Sequence, residues 1–293
     1  MSEGADMTAS IQLQAALLDH CLILFDWLFK INLSSGCLGM IIFVYSSLKT
    51  RSIHRIGSIF YVAMSISFLC MTFGLCLRGY ISGRLPVSNG YETMLFIAWC
   101  TLLVGVLMKK RTFLITVFSF LLSGFALLVA HIGVMSSQIT PLSPVLRSPL
   151  LSIHVSLIIM AYGFCGFMTL NSLTSFILLI FSRKKAQVIQ SIEKLKEMSE
   201  LFMYPATFFM GAGIFVGAIW ANVSWGRYWG WDPKETWALI TFLLMSLSFH
   251  GKILRWFRRP VFYHFFVIII FATMLMTYFG VNYLLGGKHS YAG

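Results

Sequence analysis

The sequence predicts an all-α polytopic integral membrane protein of about eight transmembrane helices, with both termini on the outer side. Three observations carry this expectation. The chain of 293 residues is 58% hydrophobic and only 11% charged, more apolar surface than a soluble domain of that length can bury. Eight apolar stretches approach the roughly 20 residues that a bilayer-crossing helix needs. Basic residues are abundant in alternate connecting segments and sparse in the others.

The stretches are approximately 22–47, 56–79, 91–108, 112–134, 150–181, 203–221, 236–251 and 261–285. Asp26 and Lys30 interrupt the first. The opening MSEGADMTAS lacks the basic region of a cleaved signal peptide. Residues 1–21 are therefore expected as an N-terminal outer segment, with 8–30 an interfacial helix leading into the first span.

Lys49, Arg51 and Arg55 follow the first span, and Lys109, Lys110 and Arg111 the third. Arg183, Lys184, Lys185, Lys194 and Lys196 follow the fifth, and Lys252, Arg255, Arg258 and Arg259 the seventh. Near the opposite ends stand only Arg78, Arg84, Arg147, Arg227, Lys234 and Lys288. An excess of Lys and Arg marks the cytoplasmic side, or its organelle equivalent. The net charge of +12 is thus mainly a topology signal, and nucleic acid is not expected as a partner. The six cysteines, Cys21, Cys37, Cys70, Cys76, Cys100 and Cys165, show no metal-binding or haem-attachment spacing. They suit packing as small hydrophobes better than a disulfide framework.

No soluble domain is evident, so residues 1–293 are read as a single membrane domain. In 182–202, Val188, Ile189, Ile192, Leu195 and Met198 recur three or four apart, with Glu193, Lys194, Lys196 and Glu197 between them. That is an amphipathic helix, expected on the inner membrane surface or as a solvated linker. Gly213 and Gly217 form a G-x-x-x-G pair in the sixth span, a pattern for close helix approach.

Three outer segments stand out. GRLPVSNGYE (83–92) joins the second and third spans. MSSQITPLSPVLRSPLLSIH (135–154) joins the fourth and fifth, and its Pro149 suits the first turn of a helix. The third, 220–237, contains WGRYWGWDPKETW and holds five of the eight tryptophans. Within it Asp232-Pro233 followed by Glu235 has the form of a helix start.

Topology also sorts the histidines. His20, His131, His154 and His289 fall near the outer surface, and His54, His250 and His264 near the inner one. His154 and His289 can meet beside the Trp-rich segment. Two neutral imidazoles with flat aromatic walls between them suit a planar metal macrocycle, since haem iron takes axial histidine nitrogens and indoles supply apolar faces. Arg84, Arg147, Arg227 and Lys234 are cations that could pair with its propionates. Tryptophans also gather at membrane interfaces without any ligand, so this reading of the residues stays open. His250 lies about 20 Å along the seventh span, where an ionisable side chain is costly and points to function or snorkels toward the inner loop. His264, at similar depth, could pair with it.

The segment WGRYWGWDPKETWALI resembles the WWD signature of haem-handling proteins, with Trp225, Gly226, Trp229, Trp231, Asp232, Lys234, Glu235 and Trp237 all in register. SNGYE (88–92), LRSPLLSIHV (146–155) and GVNYLLGGKHSY (280–291) make the chain similar to the CcsA/ResC branch of the System II cytochrome c synthases. The resemblance runs from about residue 56 to the C-terminus. It implies that haem b is bound at an outer site by His154 and His289 beside the WWD segment, with Trp220 at that segment's start. It implies His250 as ligand of an inner haem. A separate ResB-like membrane subunit and an apocytochrome c with a C-x-x-C-H motif are the implied partners. The chain would act as a haem lyase subunit, promoting thioether bonds, in a bacterial plasma membrane or a thylakoid membrane. A haem-delivery protein without synthase activity and a haem-b electron carrier are the competing readings. Asp232 could either cap a helix or touch haem.

Overall fold

A computed structural model gives the fold and describes residues 2–49, 54–108, 112–132, 136–139, 148–181, 185–251 and 253–285. Among these every regular element is helical: α1 Ser2–Lys49, α2 His54–Ser82, α3 Gly90–Leu107, α4 Phe113–His131, α5 Pro149–Phe181, α6 Lys185–Trp225, α7 Pro233–Leu247 and α8 Pro260–Leu275. Two 3-10 turns, Ser248–His250 and Arg255–Arg258, follow α7, and a π-helical segment, Met276–Leu285, continues α8. Among the described residues seven helices are long and apolar enough to cross a membrane, so the chain is an integral membrane protein. The remaining expected span, the seventh, is α7, which has 15 residues, about 22 Å of helix, and the Ser248–His250 turn extends it.

The helices cluster into two compact units, Met1–Pro141 and Leu142–Gly293. In the first, α1 packs on α2 and α4, and α3 on α2 and α4. From Ser2 the expected outer segment and the first span form one continuous helix, with no Pro or Gly where they join. Gly36 and Gly124 let α1 and α4 touch: a Cβ on Gly124 would lie 2.5 Å from the backbone nitrogen of Leu33. Buried Asn32 ties three helices, its amide donating to Ser123 Oγ (3.0 Å) and its carbonyl accepting from Ser67 Oγ (2.7 Å). Such polar bridges hold helices where hydrophobic burial alone gives little preference.

The SNGYE motif is explained locally. Asn89 caps α3 by accepting from the Glu92 N–H at 2.8 Å. The fully buried Glu92 carboxylate accepts from Arg78 Nε at 3.1 Å and from the Ser88 N–H at 2.9 Å. Arg78, equally buried, also donates to the Ser137 carbonyl (2.8 Å) and lies over the Tyr91 ring.

In the second unit α5 and α6 share the longest seam, α8 packs on α5, and α7 lies against α6 and α8. The expected surface helix 182–202 is, from Lys185, the first half of α6, which runs unbroken through Pro205. Part of its apolar face is used inside the protein: Ile192 and Leu195 are buried while Ile189 is exposed, and Lys196 lies over the Tyr263 ring of α8. His264 of α8 is fully buried. Ser172 Oγ meets its Nδ1 at 3.1 Å, Ser175 Oγ its Nε2 at 3.0 Å, and the Ile192 carbonyl lies 3.3 Å from Nε2. Both ring nitrogens serve as ties among α5, α6 and α8.

Candidate functional site: a histidine cleft walled by tryptophans

Where α5 begins, α6 ends and α7 begins, the second unit holds a cleft. His154 and Tyr162 of α5, Trp220 of α6, Trp229 of the connecting loop and Lys234 of α7 contribute to its walls, with Thr277 from the π-helical segment. The loop is built by its own sequence. Gly226, with φ +72°, ends α6, its N–H bonding to the Asn222 carbonyl at 2.9 Å; a left-handed glycine is a common helix stop. Asp232 caps α7 and forms a capping box with Glu235, and Pro233 holds the first helical position. Asp232 is thus engaged as a cap, the first of its two expected roles.

Glu235 does more than complete the box. Its carboxylate accepts from the N–H groups of Gly230 (2.8 Å) and Asp232 (3.1 Å), the residues on either side of Trp231. Trp231 itself has φ 55°, a left-handed conformation that costs a non-glycine residue roughly 1–2 kcal/mol. The carboxylate clamp holds that bend and leaves the Trp231 indole 72% exposed. Glu235→Ala should therefore destabilise the loop by about 2–4 kcal/mol, two charge-assisted bonds, against about 1 kcal/mol for Asp232→Ala. Limited proteolysis between Gly226 and Asp232 measures the difference. Equal, small effects would show that the clamp is not what holds the loop.

The tryptophans divide by role. Trp220 is buried and meets Trp225 edge to face at 4.8 Å, while Trp229 meets Trp231 at 5.9 Å. Only Trp220 and Trp229 of the motif's tryptophans line the cleft; Trp237 is half-buried on α7. Tyr228, Tyr162 and Thr277 also line it. They were not anticipated, because nothing in their own sequence neighbourhood marks them.

His154 is held in a defined way. Its Nδ1 lies 2.7 Å from the Gly213 carbonyl. A carbonyl only accepts, so Nδ1 carries the hydrogen and, in the neutral ring, Nε2 carries the lone pair. Anchoring one imidazole nitrogen on a carbonyl is how proteins orient a metal-binding histidine. Gly217 provides the seat: a Cβ there would come within 2.6 Å of His154 Cε1 and Nδ1. The G-x-x-x-G pair, read as helix packing, thus also shapes the histidine's position.

Lys234 donates from Nζ to Asn282 Oδ1 at 2.9 Å, reaching the π-helical segment. It stands in the first turn of α7, ahead of the apolar run. Burial pulls its ammonium down to about 8, and the Asp232 carboxylate limits the fall. A depressed lysine loses its charge as pH rises through that value. If it pairs with a haem propionate, affinity should be flat below pH about 8 and decline above it. Haem retention by wild type and Lys234→Met across about pH 6.5 to 9.5 checks this. A profile that keeps its decline in the variant would assign the titration to another group.

His250 lies in the 3-10 turn that follows α7; it is exposed, with Nδ1 3.2 Å from the Ser246 carbonyl. Arg227 is exposed, its guanidinium lying over Gly230. Arg84 is half-buried in the first unit. His289 and Arg147 lie outside the described residues. Of the other outer histidines, His20 is exposed, and His131 bonds Asp26 at 2.8 Å.

Residues 87–289 match the family model of the cytochrome c assembly protein. The chain is 33% identical over 278 residues to the cytochrome c biogenesis protein CcsA of Chlamydomonas reinhardtii, covering 89% of this chain and 74% of that protein. It is 32% identical to CcsA of Prochlorococcus marinus over 269 residues, 78% of this chain and 83% of that one. It is 38% identical over 289 residues to protein NrfI of Wolinella succinogenes, but these span 96% of this chain and only 31% of that longer protein. The fold, the Trp-rich segment and these relatives together place the chain in the cytochrome c assembly protein family, as a CcsA/ResC-type member.

Proposed function

We propose that the chain binds haem b as substrate in the cleft of α5, α6 and α7 and presents it for covalent attachment to apocytochrome c. The observation that carries this is His154, with its tautomer set by the Gly213 carbonyl and its ring seated on Gly217, in a wall shared with Trp220, Trp229 and Lys234. An oriented imidazole, flat apolar faces and a cation are what an iron porphyrin with propionates requires. His289 supplies the second outer nitrogen and His250 a nitrogen at the inner site. Arg147 and Arg227 are further candidates for propionate contact.

Attachment needs no enzyme nucleophile. Each thiol of the apocytochrome C-x-x-C-H motif adds across a haem vinyl group: sulfur bonds one carbon, the hydrogen goes to the other, and no net oxidation occurs. The protein's work is positioning. Two histidines hold the haem until the motif's own histidine displaces one. The clamped loop, with Trp231 turned outward, keeps the aromatic wall in shape without using Asp232 or Glu235 on the haem. A ResB-like subunit completes the synthase. The Trp-rich end faces the outer side of a bacterial plasma membrane or the lumen of a thylakoid, with both termini on that side.

The test is production of a reporter cytochrome c in cells that express this chain with its ResB-like partner, read by haem staining of denatured protein. His154→Ala should lower the covalently attached haem at least about tenfold. Undiminished attachment in that variant would rule the assignment out.

A further inference from the structure

Among the described residues Trp231 is the one non-glycine with a positive φ. Strained backbone persists only where its surroundings impose it, and such positions cluster where a protein meets a ligand. Two contacts impose it here. The Glu235 carboxylate grips the N–H groups on both sides of the bend, at 2.8 and 3.1 Å. The Arg227 guanidinium lies so close over Gly230 that a Cβ there would stand 2.9 Å from its Cζ. The bend does not bury the ring: the indole is 72% exposed, and it takes no part in lining the cleft.

An indole that merely anchors to a membrane interface needs no such arrangement. Trp27 and Trp256 are also exposed, yet they stand on α1 and on the Arg255–Arg258 turn without a positive φ. The place of Trp231 is the difference. Trp229 lines the cleft, and Trp231 meets its ring edge to face at 5.9 Å. Tyr228, on the same short loop, both lines the cleft and is exposed, so it marks the mouth. The clamped indole is thus one ring removed from the cleft wall, beside its opening.

We infer that Trp231 is a docking residue for the C-x-x-C-H segment of apocytochrome c, packing against the polypeptide rather than the porphyrin. Attachment brings two cysteine sulfurs to bonding distance of a haem held in the cleft, so the peptide that carries them must lie across this mouth. A fixed, exposed indole suits that contact, because it offers a large apolar face with few torsions left to freeze. The Glu235 clamp sets the ring before the peptide arrives, which lowers the ordering cost of binding. Trp220 and Trp229 then serve the haem, and Trp231 serves its acceptor. The inference rests on the proposed reading of the cleft as a haem site.

The test uses the full chain with its ResB-like partner, loaded with haem, and a fluorescent peptide that carries the C-x-x-C-H motif with serine at both cysteine positions, so that it docks without reacting. Trp231→Gly is the informative variant. Glycine adopts the bend without strain, and the Glu235 bonds, which go to Gly230 and Asp232, keep their partners. Fluorescence anisotropy should show peptide affinity weakened at least about tenfold in Trp231→Gly, with the haem content and absorption spectrum of the unsubstituted complex. Trp231→Phe, which keeps an aromatic face, should lose much less. With the cysteine-bearing peptide, Trp231→Gly should raise the concentration for half-maximal attachment while the rate at saturation holds. Equal affinity in Trp231→Gly, or no peptide binding by the unsubstituted haem-loaded complex, would overturn the docking role and leave the indole to the membrane interface. Haem lost from Trp231→Gly would overturn it as well, by making the ring part of the haem wall. Absence of haem from the unsubstituted complex would strike the reading of the cleft, and the docking role with it.

Discussion

Replacing Gly217 with valine should remove haem from the outer cleft while leaving every proposed ligand in place. The reason is steric and specific. A Cβ at Gly217 would sit 2.6 Å from two atoms of the His154 ring, well inside contact distance. The ring cannot turn aside cheaply, because its Nδ1 is tied to the Gly213 carbonyl one helical turn away. Either that bond breaks, and the tautomer is no longer fixed, or α5 and α6 separate along their seam. Disturbing the partner that orients a metal-binding histidine typically costs ten- to a hundredfold in affinity, and a loss of about that size is expected here. Gly57→Ala is the control, since its nearest neighbour would stand at an ordinary 3.6 Å. Haem content per protein measures the effect. Near-normal content in Gly217→Val would mean that the seat is not needed.

The second large effect concerns stability. Arg78→Met should destabilise the first unit by about 3–5 kcal/mol, because it strands the Glu92 carboxylate in a fully buried position. It also removes the donor to the Ser137 carbonyl. Replacing both partners, Arg78→Met with Glu92→Leu, should recover much of the loss, since no uncompensated charge then remains. Unfolding in detergent, followed by helical signal, reads both variants. A cost below about 1 kcal/mol for the single change would show that the pair is solvated.

The helical, membrane-spanning class was legible because a bilayer demands long apolar helices and punishes every other backbone. The Asp232-Pro233 helix start was legible because capping is local chemistry, confined to four residues. What depends on distant partners was not. His264 looked like half of a ligand pair; its serines come from α5 and its carbonyl from α6, which no spacing reveals. The role of Gly217 required knowing that His154 stands opposite. Segment 182–202 has the pattern of a surface helix, but from Lys185 it belongs to the long α6, and Ile192 and Leu195 of its apolar side are buried against protein. The π-helical turn that brings Thr277 and Asn282 to the cleft has no signature in its own residues. His289, the proposed partner of His154, lies outside the described residues, so the outer pair rests on sequence alone.

The most direct measurement is the absorption spectrum of the detergent-purified protein, co-expressed with its ResB-like partner, for the unsubstituted chain and for His154→Ala, His289→Ala and His250→Ala. A low-spin bis-histidine haem spectrum that is lost or shifted in His154→Ala and His289→Ala is the result expected if the Trp-walled cleft is a haem site. The same spectrum in all four proteins, or no haem in any of them, would contradict it.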